Sequence, residues 1–408
     1  MKSISQPKKI LVVSQYYYPD VTAAAFRIKE TVDILASKGH HVAVIAAAPH
    51  RGEVETPGPI DDGEIKVIRV PIIKYAGKGK WNYILHYCSF MLNAIAASFL
   101  LPERPEIVWA SSPPLFVGIA GFFIARLRKA IFTLDIRDIW PDSAVVVGQL
   151  RRESFLYKTA KIIEKFLYRK ARFISCVAQP MADYISQNAC GKRPMVVYNA
   201  IPEKYLIPNP EKRQKIIHLI DPAKINIMYV GNMGYCQNLN MVLDAACHLK
   251  REGNEDIRFL LIGTGIERPE LERRVREEQL TEVTIAGPVS KEEAMELMRN
   301  ASALFLQLKE DGTMDKTIPS KVFDYMAAGK PILFGLKGEG ERILSGIQGN
   351  LAFTPDSSES FVRAVKELSV RYAECSEPAK ANLTVVRERF VRETLVGRLE
   401  KKLSAMVR

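Results

Sequence analysis

Three stretches of this chain carry residues suited to holding a phosphate. The first is TIPSKVFDYMAAGKPILF over 317–334. It reads as a proline turn, a helix over 320–328, a stop at Gly329 and a buried strand from Pro331, because glycine relieves the left-handed backbone just past a helix and proline cannot continue one. A helix N-terminus at the carboxyl end of a parallel strand offers free N–H groups and the positive end of a dipole to an anion. Ser320 and Lys321 stand at that terminus and Asp324 one turn further in. The same three residues would also make a plain serine cap with a solvated lysine and aspartate. The second stretch is MYVGNMGYCQNL, where Gly231 and Gly234 bracket a loop short enough for backbone amides to close on a diphosphate. The third, LLIGTG, repeats the strand–glycine theme with Gly263 and Gly265. One strand later, Gly287–Pro288–Val289 offers backbone groups to the edge of a nucleobase.

Two further stretches suit an acceptor and a proton. In LDIRDIWPDSAVVVGQL, Asp135, Arg137, Asp138 and Asp142 gather at a strand end. One reading makes Arg137 a structural partner of Asp135 or Asp138, since charges beside a core strand are costly unless paired. The other gives Asp138 a hydrogen-bonding or base role and Arg137 a contact to an anion. SQYYYPDVTAAAFRIKE has no glycine to let backbone approach a phosphate. Tyr16, Tyr17, Tyr18 and Asp20 suit stacking and hydrogen bonding to an acceptor, with the small residues at 23–25 leaving room. Asp20 is equally an N-cap for a helix starting near Thr22. A metal-dependent diphosphate site lacks its D-x-D, and there is no GxSxG, Walker A or metal-like histidine spacing. His40 and His41 read as structural.

These groups need a scaffold that brings strand ends together. Apolar, β-branched runs predict strands over 10–14, 42–47, 65–70, 106–110, 131–136, 173–177 and 195–198, alternating with helices over 22–38, 82–101, 115–129, 154–171 and 179–188. After Asn199 the proline-rich IPEKYLIPNPEKRQK lacks periodicity and reads as an interdomain linker. The alternation restarts with strands over 225–231, 257–263, 283–287, 303–308, 331–334 and 351–353. Its helices cover 239–252, 268–279, 290–299, 320–328, 358–373 and 380–405. Near-continuous apolar strands separated by helices indicate parallel sheets covered on both faces. The expected architecture is α/β: two doubly wound domains, 1–200 and 201–379, whose strand ends face a cleft, with a C-terminal helix in 380–408 packing back on the first.

The 408 residues carry 58 Lys+Arg against 46 Asp+Glu, a net charge of +12, which favours anionic partners. Six cysteines without CxxC spacing suggest reduced thiols in a cytoplasmic setting. The first apolar run is too short for a signal peptide. The uncharged run over 82–101 is long enough to span a bilayer, but its polar residues and its place between strands favour a helix packed on the sheet. Over 151–172 lie eight basic residues. Lys158, Lys161, Lys165, Arg169 and Arg172 recur at three- and four-residue steps, a stripe suited to anionic lipid headgroups or merely a solvated face. A nucleic-acid recognition module is absent.

Taken in order, SQYYYPDVTAAAFRIKE, ASSPPLFVG, DIRDIWPDSAVVVGQL, YVGNMGYCQNL, IGTGIERPELE, IAGPVSKEEAMELMRNA and IPSKVFDYMAAGKPIL resemble a retaining glycosyltransferase of family 4 with the GT-B fold. The subgroup they are most similar to is the L-fucosamine-type transferases of O-antigen and capsule assembly. The resemblance implies a nucleotide-diphosphate sugar, with UDP as the expected nucleotide, bound as a substrate by the second domain. It implies a polyprenyl-diphosphate-linked saccharide as acceptor at the first, catalysis without metal or cofactor, and a peripheral position on the inner face of the plasma membrane. Donor contacts fall on Gly231, Asn232, Gly234, Gln237, Gly263, Gly265, Pro288, Val289, Ser320 and Asp324. Acceptor contacts fall on Tyr17, Tyr18 and Asp20, and catalysis on Asp138, Lys321 and Arg137. The sequence departs from the family pattern at Lys316 and Asp324, where two glutamates are usual, and at Asn232 and Gln237, where an arginine and a lysine are usual. Lys321 is then the remaining cation for the diphosphate. A nucleotide-sugar 2-epimerase and a non-catalytic scaffold at a membrane share the architecture and stand as alternatives.

Overall fold

The computed structural model describes residues 6–20, 22–49, 65–73, 80–146, 148, 150–310 and 316–407, and element counts refer to these. The chain divides into two compact units, Met1–Tyr198 with Glu393–Arg408, and Asn199–Arg392.

In unit 1, strands β1 (Lys9–Val13), β2 (His41–Ala47), β3 (Lys66–Val70), β4 (Ile107–Ser112), β5 (Ile131–Ile136), β6 (Phe173–Cys176) and β7 (Met195–Val196) form one sheet in the order β3-β2-β1-β4-β5-β6-β7. Every pairing is parallel. Its helices are α1 (Ala23–Ser37), α2 (Lys80–Ala97), α3 (Leu115–Leu127), α4 (Asp142–Val146), α5 (Phe155–Lys170) and α6 (Gln179–Asn188). The central strands are buried along almost their whole length, which is why they read as unbroken apolar runs. Strand order reverses between β1 and β4, so the loops after those strands and β5 crowd one edge.

Unit 2 opens with α7 (Pro210–Ile216). Its sheet holds β8 (Ile225–Val230), β9 (Ile257–Ile262), β10 (Val283–Ala286), β11 (Ala303–Gln307), β12 (Ile332–Gly335) and β13 (Leu351–Ala352), in the order β10-β9-β8-β11-β12-β13 and again all parallel. Around it lie α8 (Asn240–Arg251), α9 (Arg268–Glu277), α10 (Lys291–Asn300), α11 (Lys321–Ala327), α12 (Gly338–Ser345), α13 (Ser358–Val370), α14 (Tyr372–Ala379) and α15 (Ala381–Arg389). Aromatic rings fill the centre, with Phe361 edge-on to Phe305 at 4.8 Å.

Three segments depart from the sequence reading. The stretch after Asn199 is fastened structure rather than a free linker. Asn209 caps α7 by accepting from the Lys212 N–H, and its own N–H donates to Glu296 of α10 at 2.8 Å. A helix at 338–345 is not expected from GEGERILS, because glycines oppose helix formation; here it packs beside β12. The single C-terminal helix expected over 380–405 is α15 and α16 (Arg392–Ser404), interrupted at Phe390 and Val391. There Phe390 turns inward against Phe323, and Ile201 and Val391 form a parallel bridge. Only from Glu393 does the chain rejoin unit 1, where Leu395, Leu399 and Leu403 are buried. His40, read as structural, joins this helix to β1: its Nδ1 accepts from the Lys8 N–H, and its Nε2 meets Glu400 at 3.1 Å.

Candidate active site

The glycine loops of unit 2 lie at the carboxyl ends of β8 and β9. Gly231 has φ +139°, a conformation that side-chain-bearing residues rarely adopt, and a β-carbon there would overlap the Lys321 side chain. Lys321 therefore crosses from α11 over the Gly231 backbone. Its ammonium lies 4.3 Å from the ring centroid of Tyr229 and bonds the Tyr229 hydroxyl, which in turn donates to the Asn232 carbonyl. Burial lowers the Lys321 pKa to about 7; Asp324 acts against this and Lys291 with it. Asp324 is committed to Lys291, at 2.5 Å. Beside them the Tyr205 hydroxyl is pushed up to about 12 by burial and by Glu292 and Asp324.

The helix start itself departs from a serine cap. Ser320 is exposed, has helical backbone angles and makes no side-chain cap; the first turn is closed by N–H bonds of Val322 to Pro319 and of Phe323 to Ser320. What fixes α11 is Tyr325, whose buried hydroxyl accepts from the Val230 N–H at 2.9 Å. Gly329 takes φ +66° at the other end, as the sequence predicts.

The remaining donor candidates fall into two groups. At Gly263 and Gly265 a β-carbon would strike the backbone of Gly231 and Met233, so these glycines let two loops of the protein meet. Met233 N–H to Thr264 and Gly263 N–H to Ala286 complete that junction. The Gly234 N–H, expected to face a diphosphate, donates instead to Gln237 Oε1 at 3.1 Å, so Gln237 must swing out before that amide meets a ligand. Asn232 and Pro288 are exposed and Val289 is half-buried, ahead of the Ser290 capping box of α10. Two residues not singled out in the sequence join them. Arg268 reaches the Gly263 carbonyl at 3.2 Å, adding a second cation at the strand ends. Glu267, raised by burial, exerts its field on the Tyr229 phenol. Their signal was position alone, in the first residues after a strand–glycine loop. Lys316 is half-buried and precedes α11.

In unit 1, register decides between the two readings of the aspartate cluster. Asp135 lies opposite Ser111 on β4 and Ser175 on β6, fully buried. Both hydroxyls donate to it, at 2.9 and 2.7 Å, and Arg137 and Arg27 pair with it at 2.7 and 3.1 Å. Burial opposes ionisation of Asp135, but the two guanidinium groups overcome it and hold the carboxyl below its usual range. Arg137 also donates to the Val197 carbonyl. Of the two readings of Arg137, these contacts match the structural partner: its guanidinium neutralises the buried Asp135 carboxylate near the end of β5. Asp138 behaves differently. Burial pushes its carboxyl up, while hydrogen bonds from Ser143 and the Ile139 backbone act the other way.

The tyrosine loop is also redrawn. Thr22, not Asp20, caps α1, accepting from the Ala25 N–H at 3.1 Å. Tyr17 and Asp20 are 1% and 0% exposed, so neither presents a surface to an acceptor. Arg69 of β3 explains why. Its guanidinium stacks 5.3 Å from the Tyr17 ring, bonds the Tyr18 carbonyl and feels the Asp20 charge. Tyr18 alone of the three is exposed, at 40%. Behind this loop, Gln15 is buried and bonded through Nε2 to His86 of α2 at 2.8 Å.

The basic stripe of α5 is split by burial. Lys161 turns inward to Asp142 at 3.0 Å and Glu164 at 2.5 Å, beneath the hydroxyls of Tyr157 and Tyr184. Lys158, Lys165, Arg169 and Arg172 remain exposed. Among them stand Phe155 and Ile162, 80% and 70% exposed, with Leu156 and Phe166. No helix among the described residues is long and apolar enough to cross a membrane. No group of three or more His, Cys, Asp or Glu among them is placed to hold a metal ion.

Two family models match the chain. One described as "Glycosyl transferase 4-like domain" covers residues 22–200, and one described as "Glycosyl transferases group 1" covers residues 224–370. WcaI of Escherichia coli K12, provisionally named a colanic acid biosynthesis glycosyl transferase, is 23% identical over 346 residues, 79% of this chain and 81% of its own. Among solved structures, Anabaena HepE in complex with UDP and glucose superposes with a TM-score of 0.73 at 13% identity, covering 98% of this chain and 100% of its own. WaaG, a glycosyltransferase involved in lipopolysaccharide biosynthesis, does so with a TM-score of 0.71 at 12% identity, covering 98% and 99%.

Proposed function

The chain belongs to the glycosyltransferases of the GT-B fold, carrying a 4-like domain and a group 1 domain in succession, and we propose that it moves a sugar from a nucleotide diphosphate to a polyprenyl-diphosphate-linked saccharide in surface polysaccharide assembly. The donor nucleotide is UDP and the sugar an N-acetylated aminosugar or a deoxysugar, of the kind handled by L-fucosamine-type transferases. Configuration at the anomeric carbon is retained, and no metal or cofactor takes part. The enzyme works as a peripheral protein on the inner, cytoplasmic face of the plasma membrane.

One observation carries this reading. Lys321 lies across Gly231 at the end of β8 with its neighbouring carboxylate, Asp324, already paired to Lys291. A cation so placed is available to a diphosphate, the group that HepE binds as UDP. In the proposed reaction the bond from the anomeric carbon to the diphosphate oxygen breaks while the acceptor oxygen bonds to that carbon from the same face. The acceptor proton passes to the departing phosphate or to Asp138, whose carboxyl is pushed up by burial and so accepts a proton more readily than an exposed aspartate. Lys321 stabilises the charge that grows on the leaving group, in the manner that commonly contributes most to such reactions. For the nucleobase and ribose, backbone at Pro288 and Val289 and the carboxylate of Asp324 are the contacts, the last after it exchanges Lys291 for ribose hydroxyls. The cations and exposed aromatic and aliphatic side chains of α5 support a bilayer surface as the place of work.

The test is incubation with a panel of nucleotide sugars and lipid-linked saccharides, followed by mass spectrometry of the lipid fraction. A lipid product one sugar heavier is expected. Free epimerised nucleotide sugar would indicate an isomerase, and an unchanged panel with tight vesicle binding a scaffold; either result rejects the proposal.

A further inference from the structure

Unit 1 contains a cavity of about 210 Å³ that the proposed reaction has not yet used. Its walls come from α2, α3, the loop into α4 and the first turns of α5, with Tyr87, Phe116, Ile119, Trp140, Leu156 and Ile163 among the lining residues. The rings of Tyr87 and Phe116 stack at 5.9 Å and make one wall flat and aromatic. The hydroxyl of Thr159 is one of very few polar groups in the lining. An open pocket with so apolar a lining favours a hydrocarbon occupant over water.

Three features decide which hydrocarbon. Trp140 is two residues from Asp138, so one wall of the cavity belongs to the same loop as the carboxyl proposed to take the acceptor proton. Arg151, Arg152 and Lys158 are exposed and flank Leu150 and Leu156 of the lining, giving an apolar interior a cationic rim. Arg152 is close enough for Asp142 and Tyr157 to feel its charge. Finally, the two helices that wall the cavity also carry exposed apolar side chains, Leu85 and Leu92 on α2 and Phe155 and Ile162 on α5. The occupant is therefore an amphiphile with an anionic head near the strand ends and a chain that runs inward and then out to a bilayer.

We infer that this cavity seats the first isoprene units of the acceptor lipid, with its diphosphate on the Arg151–Arg152–Lys158 rim. The inference rests on the proposed lipid-linked acceptor and adds where that lipid is held. Selection of the acceptor then comes from its chain as well as its sugar, and the cavity fixes the distance between membrane and reacting hydroxyl.

Two variants test it, Thr159→Phe, which fills the cavity, and Ile163→Asp, which makes its wall polar. Binding of geranylgeranyl diphosphate is followed by tryptophan fluorescence. The KM is compared for one saccharide diphosphate carried on a polyprenyl chain and on a short alkyl chain, in detergent without vesicles. The wild type is expected to bind the prenyl diphosphate, and both variants to raise the polyprenyl-to-alkyl KM ratio about tenfold, a change in ground-state binding of the chain. UDP affinity, read separately, reports that unit 2 is intact. An unchanged KM ratio in both variants, or variants that lose only binding to phospholipid vesicles, overturns the inference. A wild type that binds prenyl diphosphate through this cavity yet transfers no sugar to any polyprenyl-diphosphate-linked saccharide refutes the proposed acceptor while upholding the occupant.

Discussion

The Lys321 ammonium rests 4.3 Å from the ring centroid of Tyr229, and Asp324, three residues along, is paired elsewhere. A lysine held in this way, with its pKa brought down to about 7 by burial, is partly neutral at physiological pH. An incoming diphosphate favours the charged form, so binding takes up a proton above pH 7. Affinity for UDP should fall as pH rises from 7 to 9, by up to about tenfold per unit. Lys321→Ala should bind more weakly with a flat profile, and Lys321→Arg should keep its affinity at pH 9. Calorimetry at three pH values decides; a wild-type profile as flat as the alanine variant's removes Lys321 from the diphosphate site.

In turnover the same residue is expected to matter more than in binding. Lys321→Ala should lose about 100- to 1000-fold in kcat, or about 2.7–4 kcal/mol, if the ammonium is a preorganised charge for the leaving group. Steady-state rates with saturating donor measure this, and near-normal turnover would sink the assignment.

Gly231→Ala places a side chain where the lysine lies and forces alanine into a left-handed conformation. The strain is expected to cost about 1–3 kcal/mol of stability. Displacing the ammonium should weaken UDP binding as well. Thermal unfolding with and without UDP separates the two: the variant should unfold at a lower temperature and gain less from the nucleotide.

Arg137 and Asp138, adjacent in sequence, should fail in different ways. Arg137→Ala strips one of two cations from the buried Asp135 and should destabilise unit 1 by about 3 kcal/mol, seen in urea unfolding. Asp138→Asn should leave stability nearly unchanged and reduce kcat. Equal loss of activity at unchanged stability for both would return Arg137 to the reaction.

On α5, Phe155→Asp with Ile162→Asp removes the two most exposed apolar side chains of the helix and adds charge of the wrong sign. Binding to vesicles containing anionic lipid should drop by at least tenfold in sedimentation. The residual binding should weaken further with salt, as expected for Lys158, Lys165, Arg169 and Arg172 acting at a surface.

The alternation of strands and helices was legible because parallel strands buried on both faces leave little room for polar residues. Side-chain roles were less so, for a reason common to several positions. Gly263 and Gly265 have the composition of a phosphate loop, yet backbone approaching backbone requires glycine as strictly as backbone approaching phosphate. Tyr17 and Asp20 sit in a loop next to a strand end, and their burial is decided by Arg69, some fifty residues away. Lys161 belongs to the basic periodicity of α5, but Asp142 and Glu164 draw it inward. Helical spacing identifies residues sharing a face and leaves open how far round the helix the protein extends. Tyr229 and Tyr325, which aim and anchor the lysine helix, carry no sequence signal that sets them apart.

The return of α16 to unit 1 has a bearing on how the chain is made. Unit 2 is an insertion: its two ends, Ile201 and Val391, are bridged, and the Arg392 N–H donates to the Ile201 carbonyl at 2.9 Å. All of unit 2 emerges from the ribosome before Leu395, Leu399 and Leu403 are available to the earlier unit. The half that is translated first is thus the half completed last. A chain released early, anywhere after Arg392, would carry a finished second unit on an unfinished first one.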